Sequence, residues 1–500
     1  MDHFDVLIVG AGLSGVGAGV HLHERCPSKS YVILEGRADM GGTWDLFRYP
    51  GIRSDSDMHT LGYRFKPWTA AKAIADGPSI LDYVKETAGE YGVDKHIRYG
   101  HLVKSAAWSS ADARWTVEST RKDTGETVKI TCNFLYMCSG YYSYRQGFTP
   151  EFEGVADFKG QVVHPQFWPE DLDYRGKRVV VIGSGATAMT LVPAMAADAG
   201  HITMLQRSPT YVVSRPEKDD VANRMRQFLP ASWAYGLTRW KNTTMQQMMY
   251  RRTRTNPAPI KKFILDAVRK ELGPGYDVEK HFTPSYNPWD QRLCLVPNSD
   301  LFEAIRSGKA EVVTDHIDRF TEKGIRLKSG AELEADIIVT ATGLNLVVLG
   351  EMAFTVDGAP VDFGKTWTYK GMMYSGVPNM VSTFGYINAS WTLRADLTSE
   401  YVCRVLSHMD KRHATVVTPT LRPGEETMPA RLWIDSFFSG YMTRALHRFP
   451  KQGDREPWIN PQDYGRDKKM IRKGVIEDGA LIFSTPKVIA KVAQVLQAAE

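Results

Sequence analysis

The sequence contains few cysteines, and no two of them are spaced as a redox or metal-binding pair. The five cysteines, at positions 26, 132, 138, 294 and 403, are scattered and odd in number. Because no C-x-x-C occurs, a zinc ribbon and a thioredoxin-like redox pair are excluded. Free thiols without disulfides are typical of a reducing compartment, so we expect a cytoplasmic protein.

Long apolar runs and a strong net charge are also absent. No uninterrupted run reaches the ~18 apolar residues that span a bilayer, and the longest candidate, 179–197, is interrupted by glycine and by hydroxyl side chains. The net charge of +5 gives no reason to expect a nucleic-acid partner. The first apolar strand begins near residue 4, which leaves no room for a signal peptide. We therefore predict a chain without a transmembrane segment, whose oligomeric state the sequence leaves open.

What the sequence does contain is a glycine-rich turn directly after its first apolar run. The run FDVLIVG at 4–10 predicts a buried parallel strand, and the turn that follows carries Gly10, Gly12 and Gly15. A helix to about Arg25 and a second strand ending at Glu35 complete a β-α-β unit. The run LYMCSG at 135–140 predicts a further buried strand that closes this unit.

The same arrangement begins again near residue 177. The run KRVVVIG at 177–183 predicts a second buried strand, and HITMLQ at 201–206 predicts its neighbour. The turn between them consists of Gly183, Ser184, Gly185, Ala186, Thr187 and Ala188. This second unit is expected to resume around 298–338 and to end with DIIVTATG at 336–343.

Glycine is needed in both turns for three physical reasons. The first glycine permits the tight turn, the second lets the backbone approach a pyrophosphate, and the third allows close packing of helix and strand. The free N–H groups at the start of the helix then meet the phosphate charge. In the second unit the third position is Ala188, which is still small enough to pack.

The residue at the end of the second strand differs between the two units, and this difference predicts different ligands. Glu35 can accept hydrogen bonds from both ribose hydroxyls but would repel a 2′-phosphate. Arg207 can pair with a 2′-phosphate in bidentate fashion, and Ser208 can add a hydroxyl contact. We therefore expect a nucleotide with free ribose hydroxyls in the first unit and NADPH in the second.

Two further patterns identify a family. The stretch FKGQVVHPQFWP at 158–169 lies between the two turns, and GGTWDLFRYPGIRSD at 41–55 follows the strand that ends at Glu35. The first resembles the fingerprint of Baeyer–Villiger and related class B flavin monooxygenases, and the second resembles a shorter motif of the Baeyer–Villiger subgroup. Further shared runs extend from residue 5 to about 460, so the resemblance covers nearly the whole chain.

The resemblance implies an α/β fold with two Rossmann-like dinucleotide-binding domains, one for FAD and one for NADPH, and a helical insertion. The implied FAD domain is discontinuous and comprises 1–143 and 346–500. The NADPH domain comprises 144–212 and 290–345, includes the connector fingerprint at 158–169, and is interrupted by the helical insertion at 213–289.

The resemblance also implies which residues bind the cofactors. Besides Gly10 and Gly12 of the first turn, the residues implied to contact FAD are Ser14, Gly15, Glu35, Thr43, Trp44, Asp45, Leu46, Asp55 and Val103. The nicotinamide nucleotide is implied to contact Arg53, Ser54, Asp55, Gly183, Ser184, Gly185, Ala186, Thr187, Ala188, Arg207 and Ser208. One departure is Gln291, where some relatives carry a lysine that helps to hold the 2′-phosphate.

By the same resemblance, the reaction is an NADPH- and O₂-dependent oxygenation. Arg292 matches the catalytic arginine of the family, and Asp55 is implied to orient it. The favoured reaction is Baeyer–Villiger oxidation of a ketone to an ester or lactone through a C4a-peroxyflavin. Oxygenation of a sulfide, thioamide or amine is the alternative. A disulfide reductase also pairs two such units, but the redox cysteine pair that it needs is missing.

Two features allow more than one interpretation. His164 of the fingerprint could be a general base, although its place between the two units favours a structural role in domain motion. Residues 221–270 carry eleven Lys or Arg against the single acid Asp266, with apolar residues at helical spacing. This segment could contact a membrane peripherally, guide NADPH electrostatically, or simply form helices with a solvated basic face.

Overall fold

The glycine-rich β-α-β pattern, which occurs twice in the sequence, forms the central strands of two sheets in a computed structural model. The model describes residues 1–435 and 437–486. Its strands are β1 (Asp2–Val9), β2 (Tyr31–Leu34), β3 (Ile97–Arg98), β4 (His101–Ser109), β5 (Arg114–Arg121), β6 (Thr127–Met137), β7 (Tyr142–Gly147), β8 (Gln161–Val163), β9 (Arg178–Ile182), β10 (His201–Gln206), β11 (Tyr211–Arg215), β12 (Leu293–Pro297), β13 (Ala310–Thr314), β14 (Ile317–Thr321), β15 (Gly324–Leu327), β16 (Glu332–Glu334), β17 (Ile337–Thr340), β18 (Leu344–Leu346), β19 (Ala353–Val356), β20 (Ala359–Pro360), β21 (Thr368–Tyr369), β22 (Met373–Tyr374), β23 (Met380–Ser382), β24 (Val416–Pro419) and β25 (Leu481–Ser484).

The helices lie between these strands and cover the sheets. They are α1 (Leu13–Arg25), α2 (Thr43–Leu46), α3 (Met58–Leu61), α4 (Gly77–Glu90), α5 (Ala186–Met195), α6 (Asp220–Phe228), α7 (Ala231–Thr255), α8 (Pro257–Leu272), α9 (Val278–Phe282), α10 (Asp300–Arg306), α11 (Trp391–Arg412), α12 (Gly440–Thr443) and α13 (Tyr464–Lys473).

The first sheet contains the first nucleotide unit. Its strands run in the order β20-β19-β4-β5-β6-β1-β2-β3, and β23 pairs with β6 outside this path. β1 lies parallel to both β2 and β6, with Val6 opposite Tyr31 on one side and Phe134 on the other. The last four residues of β1, all of β2 and the last four residues of β6 are buried, and α1 and α11 cover one face of the sheet. The predicted helix end at Arg25 is confirmed. Of the strand predicted at 135–140, only 135–137 is strand, as the last part of the longer β6, and 138–140 follow it as a loop.

The second sheet is parallel throughout and has the order β13-β10-β9-β17-β8. β10 occupies 201–206, as the sequence predicts, and β17 falls inside the predicted run 336–343. β8 is part of the fingerprint stretch 158–169, so that stretch adds an edge strand to this sheet. The prediction of an α/β fold with two Rossmann-like units is confirmed.

The helical insertion lies between β11 and β12, two strands that pair in parallel. Helices α6 to α9 occupy this interval. Strands β19, β20 and β23 return to the first sheet after the second is complete. The domain boundaries themselves stay a prediction. Within 1–435 and 437–486, no helix combines the length and the apolar character that crossing a bilayer requires.

The connection between the two units is a short antiparallel pair, β7 and β18, against which His164 packs. His164 Nε2 lies 3.3 Å from the Gly343 carbonyl oxygen, and its Nδ1 accepts a hydrogen bond from the Gln166 N–H at 3.2 Å. A Cβ atom on Gly147 would lie only 1.9–2.6 Å from atoms of the His164 ring. Burial lowers the pKa of His164 and favours the neutral imidazole. His164 therefore stabilises the connector between the two units and does not line the cavity described below.

This packing predicts a specific rescue. Gly147→Ala is expected to lower the free energy of unfolding by roughly 1–3 kcal/mol, because the added methyl group overlaps the His164 ring. In the background of His164→Ala, where the ring is missing, the same alanine should have little effect. Thermal unfolding of the single and double variants measures this coupling. Equal destabilisation in both backgrounds would contradict the contact.

Candidate functional site

A single continuous cavity of about 680 Å³ runs between the two units. Its walls come from the first glycine turn, the start of α2, the loop before α3, the loop after β6 and the first turn of α5. The segment 384–391 and residues of α12 complete it. The cavity therefore reaches from the first nucleotide unit to the helix that begins the second.

The first glycine turn leaves its backbone open toward this cavity. Gly10 has a φ of +100°, and a Cβ there would lie 2.6 Å from the Cys138 carbonyl oxygen. A Cβ on Gly15 would lie 1.8 Å from the Gly10 carbonyl oxygen, so this position serves helix–strand packing. Gly12 has room for a Cβ and lines the cavity. No side chain in the described chain caps α1, so its first N–H groups are available to an anion.

The second turn repeats this construction. Gly183 is held against the Ala341 carbonyl oxygen, 2.4 Å from where its Cβ would be, whereas Gly185 faces open space. Ala188 is buried in the core of the second sheet. Among the described residues, α5 also lacks a side-chain cap. Ala186 and Thr187 line the cavity, so the helix start is directed toward it.

Glu35 directly follows β2 and lines the cavity, where it can reach the ribose of a nucleotide. One carboxylate oxygen accepts from the Ala11 N–H and the other from the Arg37 N–H, both at 2.8 Å. Each oxygen keeps a further lone pair for a ribose hydroxyl. Burial raises the pKa of Glu35, and the two backbone N–H groups oppose this shift.

Arg37 also lines the cavity and was missed by sequence reasoning. Its guanidinium pairs with Asp45, which is buried and also accepts from Arg48 at 2.9 Å. Two arginines thus hold the Asp45 side chain away from the cavity. The signal for Arg37 was its place two residues after Glu35, at the carboxyl end of the strand.

The predicted residues around Trp44 are divided between the cavity and its support. Thr43 and Trp44 line the cavity, and the Thr43 hydroxyl lies 2.6 Å from the Tyr142 hydroxyl. Asp45 and Leu46 do not belong to the lining. Val103 lines it from β4. The side chains of Thr43 and Trp44 are therefore placed to contact a ligand.

Asp55 and Arg292 meet at the cavity although 237 positions separate them. An Arg292 Nη2–H donates to Asp55 Oδ2, and both side chains are about one-third exposed. The negative charge of Asp55 raises the pKa of Arg292. Tyr141 and Tyr441 line the same cavity as this pair. The site therefore holds a permanent positive charge on Arg292, whose long side chain is held in place by the Asp55 carboxylate.

Arg53 and Ser54, which directly precede Asp55, also line the cavity. The Arg53 guanidinium binds Asp300 at the start of α10 and lies 3.4 Å from the Met189 carbonyl oxygen. Ser54 is buried and donates to the Ser56 carbonyl oxygen at 2.7 Å. Arg53 thus joins the first unit to helices of the second.

Arg207 and Ser208 follow β10 on the exposed rim, outside the cavity lining. The Ser184 hydroxyl lies 3.3 Å from the Ser208 carbonyl oxygen and 2.9 Å from the Thr210 hydroxyl, which ties the second turn to this strand end. No carboxylate of the described residues lies within 4 Å of the Arg207 guanidinium. The rim therefore presents a cation beside the uncapped start of α5.

A second cation, Arg444, lies near Arg207 and was missed by sequence reasoning. Its guanidinium carbon is 3.5 Å from the centre of the Phe148 ring, and Phe148 is bonded through its backbone to Thr342 and Gly343. Partial burial and the charge of Arg207 lower the pKa of Arg444. Within the described chain it too has no carboxylate within 4 Å. No sequence signal could have paired residues so far apart.

The structure brings most of the predicted site residues to one cavity. Those on its lining are Gly10, Gly12, Ser14, Glu35, Thr43, Trp44, Arg53, Ser54, Asp55, Val103, Ala186, Thr187 and Arg292. Those off its lining are Gly15, Asp45, Leu46, Gly183, Ser184, Gly185, Ala188, Arg207 and Ser208.

An aromatic wall lines the cavity beside the first glycine turn. The Trp391 indole N–H donates to the Ser14 hydroxyl at 2.7 Å, and its ring stacks on Tyr141 with centroids 5.1 Å apart. Phe384 packs against both rings. Trp391 begins α11, so the first sheet's covering helix starts at the wall of the cavity.

Comparison with known proteins assigns the chain to a family. A family model described as flavin-binding monooxygenase-like matches residues 74–356, and a model of an NAD(P)-binding Rossmann-like domain matches residues 8–75. The chain is 57% identical to the FAD-containing monooxygenase EthA of Mycobacterium tuberculosis, over 97% of this chain and 98% of that protein. It is 55% identical to EthA of Mycolicibacterium smegmatis over 97% of each chain. This chain belongs to the flavin-binding monooxygenase-like family.

Solved structures share the fold. A steroid monooxygenase bound to NADP superposes with a TM-score of 0.76 at 22% identity, covering 97% of this chain and all of that one. A cyclohexanone monooxygenase from Rhodococcus sp. Phi1 bound to NADP⁺ gives 0.74 at 20% identity, covering 97% and 99%. The predictions of family and fold and of a flavoprotein monooxygenase are confirmed.

Proposed function

We propose that this chain oxidises a ketone to an ester or lactone, using NADPH and O₂. One oxygen atom enters the substrate and the other leaves as water, while NADPH becomes NADP⁺. The observation that carries the proposal is the Asp55–Arg292 pair on the wall of the cavity. Bound FAD accepts hydride from NADPH and activates oxygen.

The residues present fit these two cofactors. The 680 Å³ cavity begins at an uncapped helix start beside Gly12, where a backbone N–H group can reach a pyrophosphate. The Glu35 oxygens keep lone pairs for ribose hydroxyls, as FAD requires. At the second unit, Gly185 leaves open space in front of α5. We assign FAD to the first unit and NADPH to the second on these features.

Arg292 would act on the substrate carbonyl. When a carbonyl carbon is attacked, negative charge develops on its oxygen, and a fixed cation beside it lowers the energy of that state. Asp55 holds the guanidinium in one place and keeps it protonated. Its carboxylate also offsets part of the positive charge, so that the cavity does not hold an unpaired cation before substrate binds.

Arg207 and Arg444 would share the 2′-phosphate of NADPH. Neither has a carboxylate of the described chain within 4 Å, and a phosphate dianion would relieve the repulsion between them. Some relatives carry a cationic lysine at the position of Gln291, which is neutral here. Arg444 would supply the second cation in its place. Ser208, at the same strand end, is placed to add a hydroxyl contact.

The substrate would be apolar and would lie against the aromatic wall. Phe384, Ile387 and Trp391 line the cavity on one side, and Tyr441 and Met442 approach from the segment before Arg444. These side chains bury apolar surface but offer few polar partners. An aliphatic or aromatic ketone fits this lining, and so does a sulfide of the same size. Heteroatom oxygenation therefore stays the alternative.

A matched substrate pair distinguishes the two reactions. The purified holoenzyme is given NADPH and O₂ with either a linear ketone or the sulfide in which sulfur replaces the carbonyl group. We expect ester formation from the ketone with one NADPH consumed per ester. Recovery of unchanged ketone, together with conversion of the sulfide to its sulfoxide, would favour the alternative instead.

A further inference from the structure

The helical insertion exposes an unusual number of large apolar side chains. Helices α6, α7 and α8 form about a tenth of the chain. They nevertheless carry nine of the eighteen large apolar side chains that are exposed in residues 1–435 and 437–486. Trp233 is 69% exposed and Trp240 is 67% exposed. Exposed apolar groups gathered in this way mark an interaction site.

Four of the six exposed apolar residues of α7 lie on one side of the helix. At about 100° per residue, Trp233, Leu237, Trp240 and Met248 fall within roughly a quarter of its circumference. The opposite side carries buried residues that anchor the helix. Tyr235 donates to the Tyr63 carbonyl oxygen at 2.9 Å, and Arg239 donates to the Gly62 carbonyl oxygen at 2.7 Å. These hydrogen bonds fix the orientation of α7, so that the stripe formed by Trp233, Leu237, Trp240 and Met248 faces solvent.

The neighbouring helices extend this stripe into a broader face. α6 and α8 both pack against α7. Phe228 at the end of α6 is 78% exposed, and Phe263 of α8 is 65% exposed. We call the four residues of the α7 stripe together with Phe228 and Phe263 the apolar face. Tryptophan and phenylalanine at such a face are typical of residues that enter the interfacial layer of a bilayer.

Basic residues lie on the same three helices as the apolar face, and some of them pair with acids. Of the eleven basic residues in 221–270, six have a carboxylate partner within 4 Å, as in the Arg251–Asp463 and Arg254–Asp290 pairs. The other five have none among the described residues, and Arg224, Arg252 and Lys270 of these are exposed. The free charge is still positive and lies on the same three helices.

We propose that the apolar face docks onto the surface of an anionic lipid membrane, with Trp233 and Trp240 entering the interfacial layer and the free arginines and lysine facing lipid headgroups. Charge complementarity favours lipid over a second copy of this chain, because a symmetric dimer would place these cations opposite one another. α7 also approaches the cavity wall, since Gln246 lies 3.4 Å from the Asn388 carbonyl oxygen. A docked enzyme would hold that wall close to apolar substrates dissolved in lipid.

Vesicle sedimentation of the FAD-loaded protein tests this proposal. Vesicles of phosphatidylcholine, with and without phosphatidylglycerol, are the probes. We expect the protein to sediment more strongly with the anionic vesicles and to lose this preference at high salt. Trp233→Ser/Trp240→Ser should weaken partitioning by roughly tenfold or more. The matched control, Val475→Ser/Ile482→Ser, removes two exposed apolar side chains from other elements and should bind as the parent does.

Flavin content and NADPH oxidation without substrate establish that each variant is folded. The proposal is overturned if the parent protein stays in the supernatant with both vesicle types. It is also overturned if the double tryptophan variant sediments as the parent does. A concentration-dependent dimer in lipid-free solution that the tryptophan substitutions abolish would assign the face to a second copy of the chain.

Discussion

Arg292→Ala is expected to lower the rate of ester formation by about 10²- to 10³-fold, as the loss of one oxyanion-stabilising group does in other acyl-group reactions. The expectation follows from the place of Arg292 on the cavity wall, where Asp55 holds its positive charge. Ester formation is measured by gas chromatography at saturating NADPH, and the flavin content of the variant is measured alongside. NADPH oxidation without ester production should become the main reaction.

Two comparisons separate this role from a general loss of structure. Arg254→Ala removes an arginine that pairs with Asp290 at 2.6 Å and lies off the cavity lining, so ester formation should stay close to that of the parent. Sulfide oxygenation by Arg292→Ala should fall less than ester formation, because no carbonyl oxygen gains charge in that reaction. An unchanged rate of ester formation in Arg292→Ala would remove Arg292 from the mechanism.

Arg207→Ala is expected to lower kcat/KM for NADPH by roughly 10- to 100-fold, the effect of losing a charge-assisted hydrogen bond to phosphate. The value of kcat/KM for NADH should hardly change, because NADH has no 2′-phosphate. Arg444→Ala should act in the same direction, and the double variant should fall short of the sum of both effects, because the two arginines would share one ligand. Steady-state kinetics with both nucleotides measure all three.

A surface arginine of the same sheet provides the control. Arg178 begins β9, at the end of the strand opposite the glycine turn, and pairs with Glu334 and Asp336. Arg178→Ala should leave the preference for NADPH over NADH unaltered. An unaltered preference in Arg207→Ala would place the 2′-phosphate elsewhere and would leave the two rim arginines without a role in cofactor selection.

The parts of the fold that depend on local pattern follow from the sequence. The continuous apolar runs at 4–10 and 201–206 predict buried parallel strands, and β1 and β10 occupy these positions. The glycines predict the sharp turns, because Gly10 needs a positive φ and Gly15 has no room for a Cβ. Apolar periodicity and steric demands of this kind act over a few residues, so a single chain is enough to reveal them.

Contacts between segments that are distant in sequence could not be predicted in this way. The sequence does not indicate that Trp391 donates to Ser14, that His164 packs on Gly147, or that Arg444 lies near Arg207. The Asp55–Arg292 pair was expected from resemblance alone. The sequence also does not indicate that basic residues of 221–270 are paired, because acids that bind two of them, Asp463 and Asp290, lie outside the segment. Such pairings depend on how the sheets and the insertion pack together.

The central claim is that this cavity inserts one oxygen atom of O₂ beside a carbonyl group. The most direct measurement is oxidation of a ketone under ¹⁸O₂ with NADPH, followed by mass spectrometry of the ester. We predict one ¹⁸O atom per ester, in the bridging position, and one NADPH consumed for each ester formed. An ester without the label, or NADPH oxidation that gives only hydrogen peroxide in the presence of every ketone tested, would contradict the account.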